Sequence, residues 1–225
     1  MSESEQINHT GTPDIRPHRT HSLQNIAASI LSSVFSPLLI PTIAMVIALW
    51  LTPMYRLSLS VRGWSTLGVF FITAVLPGLS ILTLMKMGRA SDTALSDRRE
   101  RPLPFMITLG CYIIAAIYLA ALHAPRWLVA FVVAGAVIVL AELLISYRWK
   151  ISAHTGGCGG LVGLLFWLAV RGALIYDALT LVSIAVLVLG LVAWARLVLR
   201  RHTLGQVGAG AALGFLVEFG IMCLA

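Results

Sequence analysis

The sequence predicts an all-α protein, a polytopic bundle of about seven transmembrane helices. Two observations carry this. Of 225 residues, 59% are hydrophobic and only 11% are charged, too few charges to solvate the surface of a water-soluble domain. The apolar residues also fall in long blocks, several reaching the roughly 20 residues that a helix needs to cross about 30 Å of hydrocarbon. The net charge of +7 sits in short gaps between the blocks. There it sets orientation and meets anionic head groups or phosphate, so nucleic acid is not an expected partner.

Residues 1–25 are polar, carry Pro13 and Pro17, and hold His9, His18 and His21. With no apolar core of the signal-peptide type, they are expected to form a disordered tail, with residues 26–225 as the transmembrane domain. The first span is expected from Ile26 to Leu51, kinked by Pro37 and Pro41. Further spans are expected at Trp64–Met85, Pro102–Leu122, Trp127–Tyr147, Gly157–Val170, Leu174–Leu197 and Gln206 to the C-terminus. The fifth is short and rich in glycine, and could begin as early as Ser152. Arg171 and Gly172 form the turn between the fifth and sixth. Cys111, Cys158 and Cys223 show no metal-ligand or CxxC spacing and read as small apolar residues.

The polar segments after spans two, four and six share one side, because two crossings separate each from the next. All of the 16 lysines and arginines except Arg56, Arg62, Arg126 and Arg171 fall on that side or in the tail. The positive-inside tendency places this face and the N-terminus in the cytoplasm. The expected location is therefore multi-pass in the inner membrane of a bacterium.

Three segments on this face hold residues that could do chemistry. Arg98-Arg-Glu-Arg101-Pro102 opens the third span. Lys150-Ile-Ser152-Ala-His154 opens the fifth. Arg196-x5-His202-x3-Gln206 joins the sixth to the seventh. Phosphoryl transfer needs cations for the non-bridging oxygens, a nucleophile, and an acid for the leaving oxygen. Arginine forks suit the first role, and two imidazoles suit the others near neutral pH. Read singly, each histidine is as well explained as a structural residue, and Arg98, Arg99, Arg200 and Arg201 as head-group contacts. The glycines Gly156, Gly157, Gly159 and Gly160 read as a phosphate cradle or, slightly better, as a helix-packing surface.

This pattern resembles the type-2 phosphatidic acid phosphatases (PAP2). Their signature has three parts: Lys-x6-Arg-Pro, Pro-Ser-Gly-His and Ser-Arg-x5-His-x3-Asp. Arg101-Pro102 match the first, with Ala94 where the lysine belongs. Ser152 and His154 match the second, with Ile151 and Ala153 replacing Pro and Gly. Arg196 and His202 match the third, with Ala195 and Gln206 in the Ser and Asp positions. The resemblance implies a PAP2-like core and an enzyme, a lipid phosphatase that hydrolyses a phosphate monoester or diphosphate. His202 would be the nucleophile, carried through a phosphohistidine, and His154 the acid. Gln206 would orient His202. Arg101, Ser152 and Arg196, helped by Lys150 and Arg98, would hold phosphate. It implies no metal and no cofactor, with a lipid phosphate and membrane lipids as partners and a homo-oligomer allowed. Two alternatives stay open. One is a non-catalytic lipid-phosphate binder, which the four substitutions favour. The other is a Mg²⁺-dependent membrane prenyltransferase using Asp92 and Asp97. Glu142 and Glu218 sit inside spans; Glu142 lies close enough to the cationic side to pair with Arg148 or the site, and Glu218 receives no role.

Overall fold

The computed structural model describes residues 23–92 and 97–225. The described residues form helices and turns without strands. The tail expected over residues 1–25 lies outside them, except that Leu23, Gln24 and Asn25 already belong to the first helix. Ala94 lies outside them too.

Among the described residues, six helices are long and apolar enough to cross a membrane: Leu59–Lys86, Pro102–Ala121, Arg126–Ser146, Ala153–Val170, Ala178–Val198 and Leu204–Cys223. The chain is a multi-pass helical membrane protein. The expected seventh span, the first in order, is corrected. Residues 23–50 form two short helices, α1 (Leu23–Val34) and α2 (Ile40–Trp50). Neither reaches the roughly 20 residues that a crossing needs. Proline explains the division: Pro37 lies in the break, and Pro41 sits in the first turn of α2, where a missing N–H costs nothing. Beyond α2, the carbonyl of Leu51 accepts a bond of 3.0 Å from the Ile175 N–H.

The span over 59–86 is itself divided. α3 (Leu59–Phe70) passes through one π turn at Phe71–Val75 into α4 (Leu76–Lys86). Pro77 lies just past the turn, and its ring cannot sit against an ordinary carbonyl four residues back. α5 (Pro102–Ala121) and α6 (Arg126–Ser146) make a hairpin through His123, which adopts a left-handed φ of 53°. α7 (Ala153–Val170) is the most enclosed of the six long helices, and α8 (Ala178–Val198) the least. Gly172, at φ 60°, closes the expected turn after Arg171. α9 (Leu204–Cys223) packs against α7 more extensively than any other pair packs.

That packing is backbone against backbone. A Cβ on Gly214 of α9 would meet the carbonyl oxygen of Gly156, and one on Gly159 of α7 would meet that of Ala211. A Cβ on Gly157 would lie 3.1 Å from Ile40. The glycine run is thus a packing surface on several sides, the close approach that small residues permit in membranes. Backbone on backbone cannot yield as a side chain can. Gly214→Ala is expected to destabilise by about 1–3 kcal/mol, read as a lower midpoint of thermal unfolding in detergent. An equal change at Gly220, where a Cβ meets nothing within 4 Å, is expected to be near neutral.

Candidate functional site

The site is assembled where three polar turns meet at one end of the bundle. Two bonds stitch the start of α7 to the start of α9. The Ser152 N–H donates to the Gln206 carbonyl at 3.3 Å, and Thr155 Oγ1 donates to the Val207 carbonyl at 2.9 Å. A third bond ties in α5, as Arg101 Nη1 donates to the Ile151 carbonyl at 2.9 Å. Together these hold the segments around His154, His202 and Arg101 side by side. Thr155 was not singled out from sequence. A hydroxyl in the first turn of a helix more often bonds within its own turn, as it also does here to Ser152 O at 3.1 Å.

A cavity of about 100 Å³ opens between these segments, α5, α6, α8 and the Ser36–Leu38 turn. Arg101, His154, Arg196 and His202 all line it, beside Glu142, Tyr112, Phe105 and Thr108. The volume suits roughly three water molecules at ~30 Å³ each, or one small oxyanion. Arg101 and Arg196 are only 3% and 4% exposed. Buried guanidinium groups call for an anion or a dense set of acceptors. Arg196 Nε has no hydrogen-bond partner among the described residues. Burial pulls Arg101 below its ordinary value, and the nearby carboxyls of Glu142 and Asp92 oppose that pull.

The imidazoles are held differently. His202 Nδ1 lies 3.1 Å from Gln206 Oε1. An amide oxygen only accepts, so the proton sits on Nδ1 and Nε2 keeps its lone pair. Gln206 Oε1 also accepts from the Thr203 N–H at 3.2 Å, while the Thr203 hydroxyl caps the Gln206 N–H. This capping box fixes the Gln206 side chain independently of His202. His154 Nε2 lies 3.2 Å from the carbonyl of Ser32 in α1, which places its proton on Nε2 and leaves Nδ1 open.

The remaining expected residues sit around the cavity. Ser152 is fully buried, with its Oγ unpartnered among the described residues, and does not line the cavity. Lys150 is half-buried. Burial lowers its pKa first, and Arg101, Arg201 and Arg196 lower it further. Arg98 faces away: its Nη1 donates to the carbonyls of Arg148 at 2.7 Å and Tyr147 at 3.4 Å, at the end of α6. Asp92 pairs with Arg201 at 3.0 Å, and Asp97 accepts from the Arg99 N–H at 2.9 Å. Among the described residues no three His, Cys, Asp or Glu side chains group closely enough to hold a metal. Sequence reasoning put Glu142 within reach of Arg148 or the site without choosing between them. It reaches the cavity because α6 runs antiparallel to α7 beside it, a packing no local pattern reveals.

No protein-family model, no curated protein and no solved structure matches this chain.

Burial holds the His202 imidazole down, to about 3 from its ordinary 6.5. Arg196, Arg101 and Lys150 add repulsion, and the Gln206 bond opposes them. The folded His202 is therefore neutral where the unfolded one begins to take a proton. Its contribution to stability is complete above pH 6.5 and declines as the pH falls. Acidification to about pH 5 is expected to cost up to about 2 kcal/mol through this residue. Thermal unfolding across that interval checks it, with His202→Gln expected to flatten the slope.

Proposed function

We propose that this protein is a metal-independent lipid phosphatase of the PAP2 type, in the cytoplasmic membrane of a bacterium. The observation that carries the reading is the cavity shared by His154, His202, Arg101 and Arg196, residues brought from three segments of the chain. The arginines bind the non-bridging oxygens of a phosphoryl group. The Nε2 lone pair of His202 attacks phosphorus as the bond to the leaving oxygen breaks, and that oxygen takes a proton from Nδ1 of His154, whose open Nδ1 first binds a proton from solvent to give the imidazolium. Water then cleaves the phosphohistidine and restores both residues. An open groove of about 530 Å³ shares His154 and Arg196 with the cavity, and Leu38, Ile81 and Leu82 give it an apolar wall. That wall suits the hydrocarbon part of a lipid. The cation-rich face is read as cytoplasmic.

Gln206 supports a second reading. Its oxygen orients His202 yet carries no charge to stabilise an imidazolium, and it already serves the helix cap. A protein that binds lipid phosphate without hydrolysing it could keep this arrangement. Phosphate release from phosphatidate, phosphatidylglycerophosphate and isoprenyl diphosphates, in detergent with and without EDTA, separates the readings. A phosphatase retains turnover in EDTA and loses roughly 10³-fold or more in His202→Ala. Tight binding without release indicates the binder. A Mg²⁺ requirement that depends on Asp92 and Asp97 indicates a prenyltransferase. For the phosphatase, Gln206→Asp is expected to raise the rate of the chemical step by about tenfold, ~1.4 kcal/mol, through a charge-assisted bond to His202. A lower single-turnover rate in a folded Gln206→Asp protein counts against His202 as nucleophile.

A further inference from the structure

Two carboxylic side chains lie inside the bundle with nothing yet to do. Glu142 of α6 and Glu218 of α9 are 2% and 1% exposed, and Oε1 of each has no hydrogen-bond partner among the described residues. The glycines of α7 make room for both. A Cβ on Gly156 would collide with Glu142 Oε1, and one on Gly160 would lie 3.5 Å from Glu218 Oε2. Gly156 and Gly160 are one helical turn apart, about 6 Å along the axis. A space of about 30 Å³ lies there, lined by both carboxyls and by Tyr112, enough for one water molecule. No Lys, Arg or His lines it among the described residues.

Glu142 also lines the outer cavity with the two arginines. It thus belongs to both spaces and joins them. With the outer cavity empty, its carboxyl serves as a counter-charge to Arg101, on whose guanidinium it acts. A tetrahedral dianion entering the cavity competes for Arg101 and Arg196 and brings negative charge up to Glu142. A carboxylate deprived of its counter-charge in so dry a setting must take up a positive charge.

We infer that Glu142 and Glu218 form a proton-binding pair inside the membrane, loaded through the anion cavity, so that each anion bound there is accompanied by proton uptake. The groups facing Glu142 are Arg101 and Tyr112 at and along α5, His154 on α7, Arg196 on α8, His202 before α9, and Glu218. Of these, only Glu218 shares the inner space as a second carboxyl. It extends the site one turn deeper and lets the pair exchange the proton through water. The inference rests on the reading of the outer cavity as an anion site, and not on catalysis.

Sulfate is the probe, because it is a tetrahedral dianion with no proton to exchange near neutral pH. Calorimetric titration of the detergent-solubilised protein with sulfate, in two buffers of different ionisation enthalpy, counts protons taken from solution. The wild type is expected to take up protons as sulfate binds, and sulfate affinity is expected to weaken as the pH rises. That second measurement needs no variant. Uptake is expected to fall in Glu142→Gln and in Glu218→Gln and to vanish in the double variant, all isosteric changes. Sulfate binding with no proton uptake overturns the inference and leaves the anion site standing. Undiminished uptake in the double variant assigns the proton to the imidazoles and also overturns it. An absence of sulfate binding overturns the anion site, and the inference falls with it.

Discussion

The contact on which this site depends is the close approach of α7 and α9. Four glycines, Gly156 and Gly159 on one helix and Gly210 and Gly214 on the other, bring backbone against backbone. Hydrocarbon gives two apolar helices no hydrophobic reason to associate, so contact must come from dispersion and polar bonds at short range. The Thr155 hydroxyl and the Ser152 N–H supply such bonds where the helices begin. His154 opens α7 and His202 immediately precedes α9. Their meeting is therefore a consequence of helix packing rather than of a dedicated loop. The short turns impose the rest: α8 delivers Arg196 in its last turn, and α5 begins just after Arg101.

Charge is the second constraint. Two guanidinium groups are buried beside two imidazoles and a carboxyl at the edge of the bilayer, where an uncompensated cation is expensive. Such an arrangement is tolerated when the protein or a ligand offsets the charge. Glu142 and Asp92 offset part of it, and both act on Arg101. The neutrality of His202 follows first from burial and then from the same cations.

Much of the arrangement was legible in the sequence. Counting crossings placed the segments around Arg101, His154 and His202 at one end of the bundle, an inference that survives the loss of the seventh span because it depends only on the helices between them. The spacing Arg196-x5-His202-x3-Gln206 carries its own geometry: four residues on, Gln206 lies within reach of His202. The side chains that were misjudged or passed over have partners far away in the chain. Arg98 reads in the sequence as a phosphate ligand, but its Nη1 donates to carbonyls 49 and 50 residues later. Glu142 could have paired with Arg148, yet it faces the glycines of α7.

The sequence by itself determined the helical class, the approximate extent of each long span and the end of the bundle at which the cations gather, because hydrocarbon demands continuous apolar length and internally satisfied backbone. It also offered candidates for binding and transferring a phosphoryl group, since that chemistry requires particular side chains. Tertiary structure alone decided that residues 23–50 divide into two short helices, that four distant side chains share one cavity, and that two carboxyls lie behind it. Those outcomes depend on which helix faces packed together, and a face is chosen by its partner.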